Sequence, residues 1–122
     1  MDSARKARRL LDEIQSPRLK VIMDAANLFH PGDLPRMKEI LSEAMDLMGG
    51  DIVLAHAKEL GPGGHAGDLA LGQGVLDWDS YLALLRQSNF TGPLIMHGFD
   101  ERDVAASVSF LRRKLETVAC PP

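Results

Sequence analysis

The chain has 122 residues, of which 45% are hydrophobic and 25% charged, and its formal net charge is −3. That length suits one domain with a real core, and the composition is that of a soluble globular protein. The acidic balance disfavours nucleic acid as a partner, and no apolar run approaches the roughly 20 residues of a membrane span.

Taken in chain order, the elements are readable. Ser3 can cap a helix whose Ala4, Ala7, Leu11 and Ile14 form one stripe. The basic cluster "RKARRL" within it reads as the helix's solvated face. After the break at "SPR", "LKVIMD" reads as a short buried strand, and the Pro/Gly loop "HPGDLP" follows. Met37, Ile40, Leu41, Ala44, Leu47 and Met48 recur at helical spacing, with Pro35 in the first turn and Gly49-Gly50 as the stop.

"DIVLAHA" is the second strand, and residues 60–74 form a glycine-rich loop without periodicity. "DWDSYLALLRQSNF" is a helix with Trp78, Tyr81, Leu82 and Leu85 inward, and "GPLIMH" is the third strand. A last helix starts near Glu101, with Val104, Val108, Leu111 and Leu115 expected on its buried face. Near-continuous apolar runs suit parallel strands covered on both sides. The alternation of strand, loop and helix makes the chain α/β, read as one domain over residues 1–122.

Chemistry gathers where the strands end. Side chains alternate along a strand, so Ile22 shares a face with Asp24, Leu54 with His56, and Ile95 with His97. Asp24, His56 and His97 are thus expected to converge on one rim, the C-terminal end where α/β folds place ligands. One carboxylate and two imidazoles from separate strands are a normal way to hold a divalent metal. Lys58 lies on the face of His56 and could reach a substrate oxygen. Asn27 is either a turn residue or part of the site.

Glu101 reads first as a first-turn carboxylate favoured by the helix dipole, although it could reach the rim. His30 and His65 are loop histidines. "GQG", Gly72 to Gly74, lacks a preceding strand and reads as a tight turn or a close backbone approach, not a dinucleotide fingerprint. Cys120 is the single cysteine, so no disulfide forms within the chain. With no secretory apolar segment after Met1, the expected compartment is the cytoplasm.

The phrases "AHAKE", "GQGVLDW" and "GPLIMHG", in that order, resemble the C-terminal part of the xylose isomerase-like TIM barrels, from about residue 4 to residue 115. That superfamily holds sugar and sugar-phosphate isomerases and epimerases, together with apurinic endonucleases. The resemblance implies a partial (β/α)8 TIM barrel of about three parallel strands with four helices. It also implies a divalent metal (Mn, Co, Mg or Zn) at the C-terminal rim, which polarises substrate oxygens while a carboxylate moves a proton at the adjacent carbon. The family's site takes Glu, Asp, His and a second Glu from four successive strands. Asp24 matches the Asp and His56 the His.

His97 stands where the second Glu is usual; either it ligates or Glu101 substitutes. The strand bearing the first Glu would precede residue 1, so no catalytic base can be assigned and the site is expected to be incomplete. A full barrel takes about 250 residues. The expected partners are therefore a sugar-like small molecule and either further copies of the chain (a homo-oligomer) or a complementing N-terminal barrel half. A non-catalytic barrel fragment acting by association is the alternative. An apurinic endonuclease-like metallo-phosphodiesterase ranks below both, since it needs more histidines than this rim offers.

Overall fold

A computed structural model describes residues 3–119; Cys120 lies outside the described residues. The first helix, α1 (Ala4–Ile14), starts where the Ser3 side chain accepts the Lys6 N–H, and it ends at Gln15 in the left-handed region. Strand β1 (Val21–Asp24) runs into a short 3-10 helix, Ala25–Leu28. A second 3-10 turn, Leu34–Arg36, carries Pro35 and leads directly into α2 (Met37–Met48). After Gly49–Asp51, another 3-10 turn, comes β2 (Ile52–Ala57).

The long glycine-rich segment leads to α3 (Trp78–Gln87), followed by β3 (Leu94–Met96), the 3-10 turn Glu101–Asp103 and α4 (Val104–Ala119). The strands form one parallel sheet in the order β1-β2-β3, each paired with its neighbour in sequence. Three parallel strands and four α-helices make an arc of a TIM barrel, as expected.

The helices cover one side of that arc. Met23, Ala55 and Ala57 point into them and are buried, against Leu41, Met45, Tyr81 and Leu82 of the core. The other side is bare: Ile22 is 60% exposed and Ile95 44%. The expectation of strands covered on both sides is corrected here. In a closed barrel the inner face is packed by the opposite wall, which gives its strands an apolar residue on each face. Three strands have no opposite wall, so the inner layer meets water.

Two helix faces also differ from expectation. Ile14 is exposed: α1 contributes no fully buried residue, Ala4 and Ala7 pack only partly buried against the core, and Arg5 pairs with Glu43 of α2. On α4 the buried residues are Ser107 and Leu111, whereas Val104 and Leu115 are exposed. The Ser107 hydroxyl accepts the Leu71 N–H at 3.1 Å, and the Phe110 ring packs edge-on to Trp78, so α4 turns a face nearly one residue away from the apolar stripe. A polar anchor and an aromatic contact decided the rotation, where valine spacing alone pointed elsewhere.

Candidate metal centre

Parallel register sets the rim. Asp24 and His56 are paired across β1 and β2, and Ala57 pairs with Met96, so His97 follows one residue beyond β3. The His97 N–H donates to the Ala57 carbonyl at 3.2 Å, which extends the ladder to the histidine itself. All three side chains therefore rise from the uncovered face at the C-terminal end of the sheet.

Asp24 Oδ2 is the focus. His56 Nδ1 and His97 Nε2 each lie 3.3 Å from it, and the two rings meet edge-on with centroids 4.4 Å apart. Asp24 and the two histidines each offer a ligand atom within 4.8 Å of the others. Two donors of a tetrahedral ion with bonds of about 2.0–2.1 Å stand about 3.3–3.4 Å apart, which matches the two aspartate–histidine distances, while all three donors lie within 4.8 Å of one another. The remaining oxygen, Asp24 Oδ1, is buried and has no hydrogen-bond partner among the described residues. A buried carboxylate oxygen without a donor is costly, and a cation at this carboxylate would offset that cost. The residues present fit a divalent ion.

The surroundings hold these groups in place. Lys58 Nζ forms an ion pair with Asp24 Oδ2 at 3.0 Å and donates to Asn27 Oδ1 at 2.8 Å, joining two more expected site residues to the cluster. Its side chain is only 12% exposed. The Tyr81 hydroxyl, from α3, donates to the His56 carbonyl at 3.0 Å and so pins the end of β2 from below. Burial, and then the nearby Asp24 charge, push the Tyr81 phenol well above its ordinary pKa, so it stays a neutral donor.

Glu101 is exposed at the head of the turn after His97 and is not among the clustered donors. His30 and His65 are exposed loop residues, also outside the cluster. A groove of about 320 Å³ runs along the free edge of β1, lined by Leu10, Leu11, Val21 and Ile22, with Asp24 and Asn27 at the strand's C-terminal end.

One important residue escaped the sequence reading. Glu59 is fully buried, and its carboxylate accepts from the backbone N–H of Leu60, Gly72 and Leu76 and from the Trp78 indole N–H. It thereby fastens the glycine-rich loop to β2. The signal was present in an acid at the end of an apolar strand, followed by a tryptophan that needs an acceptor. The "GQG" segment serves the same turn. A Cβ on Gly72, whose φ is +88°, would lie 2.6 Å from the Phe110 ring, and one on Gly74 would lie 2.2 Å from the Leu60 carbonyl oxygen.

Residues 1–114 match the xylose isomerase-like TIM barrel family. The chain belongs to that family. Solved structures of xylose isomerase-like proteins share the fold. A xylose isomerase domain protein from Planctomyces limnophilus is 20% identical with a TM-score of 0.76, over 97% of this chain and 45% of that one. A D-tagatose 3-epimerase-like protein is 19% identical with a TM-score of 0.70, over 96% and 42%. An L-ribulose 3-epimerase is 16% identical with a TM-score of 0.71, over 98% and 43%. This chain therefore spans less than half the length of these structures. No curated protein matches it significantly.

Proposed function

We propose that this chain is the metal-bearing C-terminal part of a sugar isomerase or epimerase, with Asp24, His56 and His97 as ligands of a divalent ion. The observation that carries the reading is the convergence of one carboxylate and two imidazoles, with donors within 4.8 Å of one another, on the open rim. Family membership supports it, as does the likeness in fold to an L-ribulose 3-epimerase and a D-tagatose 3-epimerase-like protein. The two imidazoles suit Zn better than Mg, while the carboxylate is compatible with Mn as well. When bound, such an ion would polarise a carbonyl or hydroxyl oxygen.

The chain's own residues do the rest. Tyr81 fixes the backbone of His56 and so aims its ring. Lys58 and Asn27 present an ammonium and an amide beside the rim, groups suited to sugar hydroxyl and carbonyl oxygens. Glu101, exposed in the turn after His97, would be a further contact for the bound molecule. On this reading the protein works in the cytoplasm on a sugar or a sugar-like hydroxy-carbonyl compound.

Thermal unfolding with and without Zn²⁺, Co²⁺ or Mn²⁺ tests the proposal. The expected result is a rise in melting temperature with at least one ion, lost in Asp24→Ala, since ligand binding to the native state stabilises it. Unchanged melting with all three, in the presence of a normal folded spectrum, would refute the metal reading.

A second reading rests on the bare inner face. Ile22 and Ile95 are exposed there, and β1 and β3 each have a free edge. Such a surface is suited to being covered by another half-barrel, either a second copy or complementing N-terminal strands. The site would then be completed by association, and a chain unable to associate would have no catalytic activity of its own.

A further inference from the structure

We propose that Lys58 is a resident counter-cation of the metal centre, which a divalent ion must displace from Asp24 in order to bind, and which thereby sets the affinity of the site. The inference rests on the metal reading above and adds a control to it.

Three observations carry it. First, Lys58 and the two imidazoles address the same atom: Nζ lies 3.0 Å from Asp24 Oδ2, and each imidazole nitrogen lies 3.3 Å from it. An ion bonded to that oxygen at about 2.1 Å would stand no more than about 5 Å from the ammonium. Like charges at that range, in a site where Asp24 is 10% and Lys58 12% exposed, repel appreciably.

Second, the path of the lysine stem is set by the backbone. Its stem lies against Gly67 and Gly98, two neighbouring glycines with φ of +90° and +80°. A Cβ on Gly98 would lie 2.8 Å from Lys58 Cγ, and one on Gly67 would be 3.8 Å from Lys58 Cδ. The two glycines are themselves tied down. The Gly67 N–H donates to the Glu59 carbonyl at 2.8 Å, and the Gly98 carbonyl accepts the Asp68 N–H at 2.7 Å.

Third, Asn27 gives the ammonium somewhere to stay. Its Oδ1 accepts from Nζ at 2.8 Å independently of Asp24. Lys58 can therefore yield the carboxylate, keep one hydrogen bond, and turn the freed N–H groups to the open face. Ion loading and the presentation of a substrate donor become one event.

Calorimetric titration of the whole chain with Zn²⁺ and with Mn²⁺ tests this. Lys58→Met is expected to bind at least about tenfold more tightly than the wild type, since it removes a close like charge. Lys58→Arg, which keeps the charge, is expected to stay near the wild type. Lys58→Ala gives the same direction as methionine if the methionine variant does not fold. Binding by Lys58→Met alone would also support the proposal. Equal or weaker binding by the neutral variants, with the wild type binding normally and Asp24→Ala not at all, overturns the proposal and leaves the metal reading standing. No binding by any form overturns both.

Discussion

Glu59 and its neighbour Lys58 show how differently two adjacent charges can be employed. Lys58 reaches the rim along two glycines, whereas Glu59 turns inward and serves as the hub of the loop beneath. A carboxylate with N–H groups converging on it from several directions is held by charge-assisted bonds, each stronger than a neutral one. Glu59→Gln keeps the shape but points an amide NH2 at N–H donors. Loss of two such bonds in a dry setting should cost about 3 kcal/mol or more, read as a shift in the urea midpoint. At this scale the sequence revealed the chemistry-bearing residues that alternate with apolar ones: Asp24, His56 and His97 each end a run. It did not reveal Glu59, because a strand terminus that turns inward reads the same as one that turns to water.

Among the elements, α3 is the most fully specified. Asp77 caps it, with its carboxylate accepting the Ser80 N–H at 3.0 Å and the Ser80 hydroxyl at 2.8 Å. Partial burial pushes the Asp77 carboxyl up, but the two Ser80 bonds, with Lys38 and Lys114 nearby, outweigh it and hold the group below its ordinary 3.8. A depressed value in the folded state means that the stabilisation is fully present above the unfolded value and is lost as pH falls through the folded one. Asp77→Ala should therefore cost about 1 kcal/mol at neutral pH, and the gap to the wild type should close in acid. Thermal melts across that range check both. The inward face of α3, with Trp78, Tyr81, Leu82 and Leu85, was legible because each of those residues is large and the helix is sandwiched. The rotation of α4 was not, since it depends on Ser107 and Phe110 finding partners far away in the chain.

For the molecule as a whole, the question is what a one-sided arc does with its inner face. Burying apolar area is favourable by roughly 25 cal/mol per Å², and Ile22 and Ile95 stand exposed on the same face. Light scattering after size exclusion is expected to give a mass above 13.3 kDa that rises with concentration. Ile22→Lys combined with Ile95→Lys should return it toward the single-chain value while leaving the far-ultraviolet spectrum unchanged. The class of fold was legible at this scale from the alternation of strands and helices, while the bare face was not, because an apolar strand looks the same whether or not a wall stands opposite it. The consecutive strand order has a kinetic corollary. Each ladder joins segments separated by a single helix-containing crossover, so no pairing waits for a distant part of the chain. Ordering can spread from one crossover to the next like a closing zip, so that formation of the arc does not depend on a tenant for its inner face.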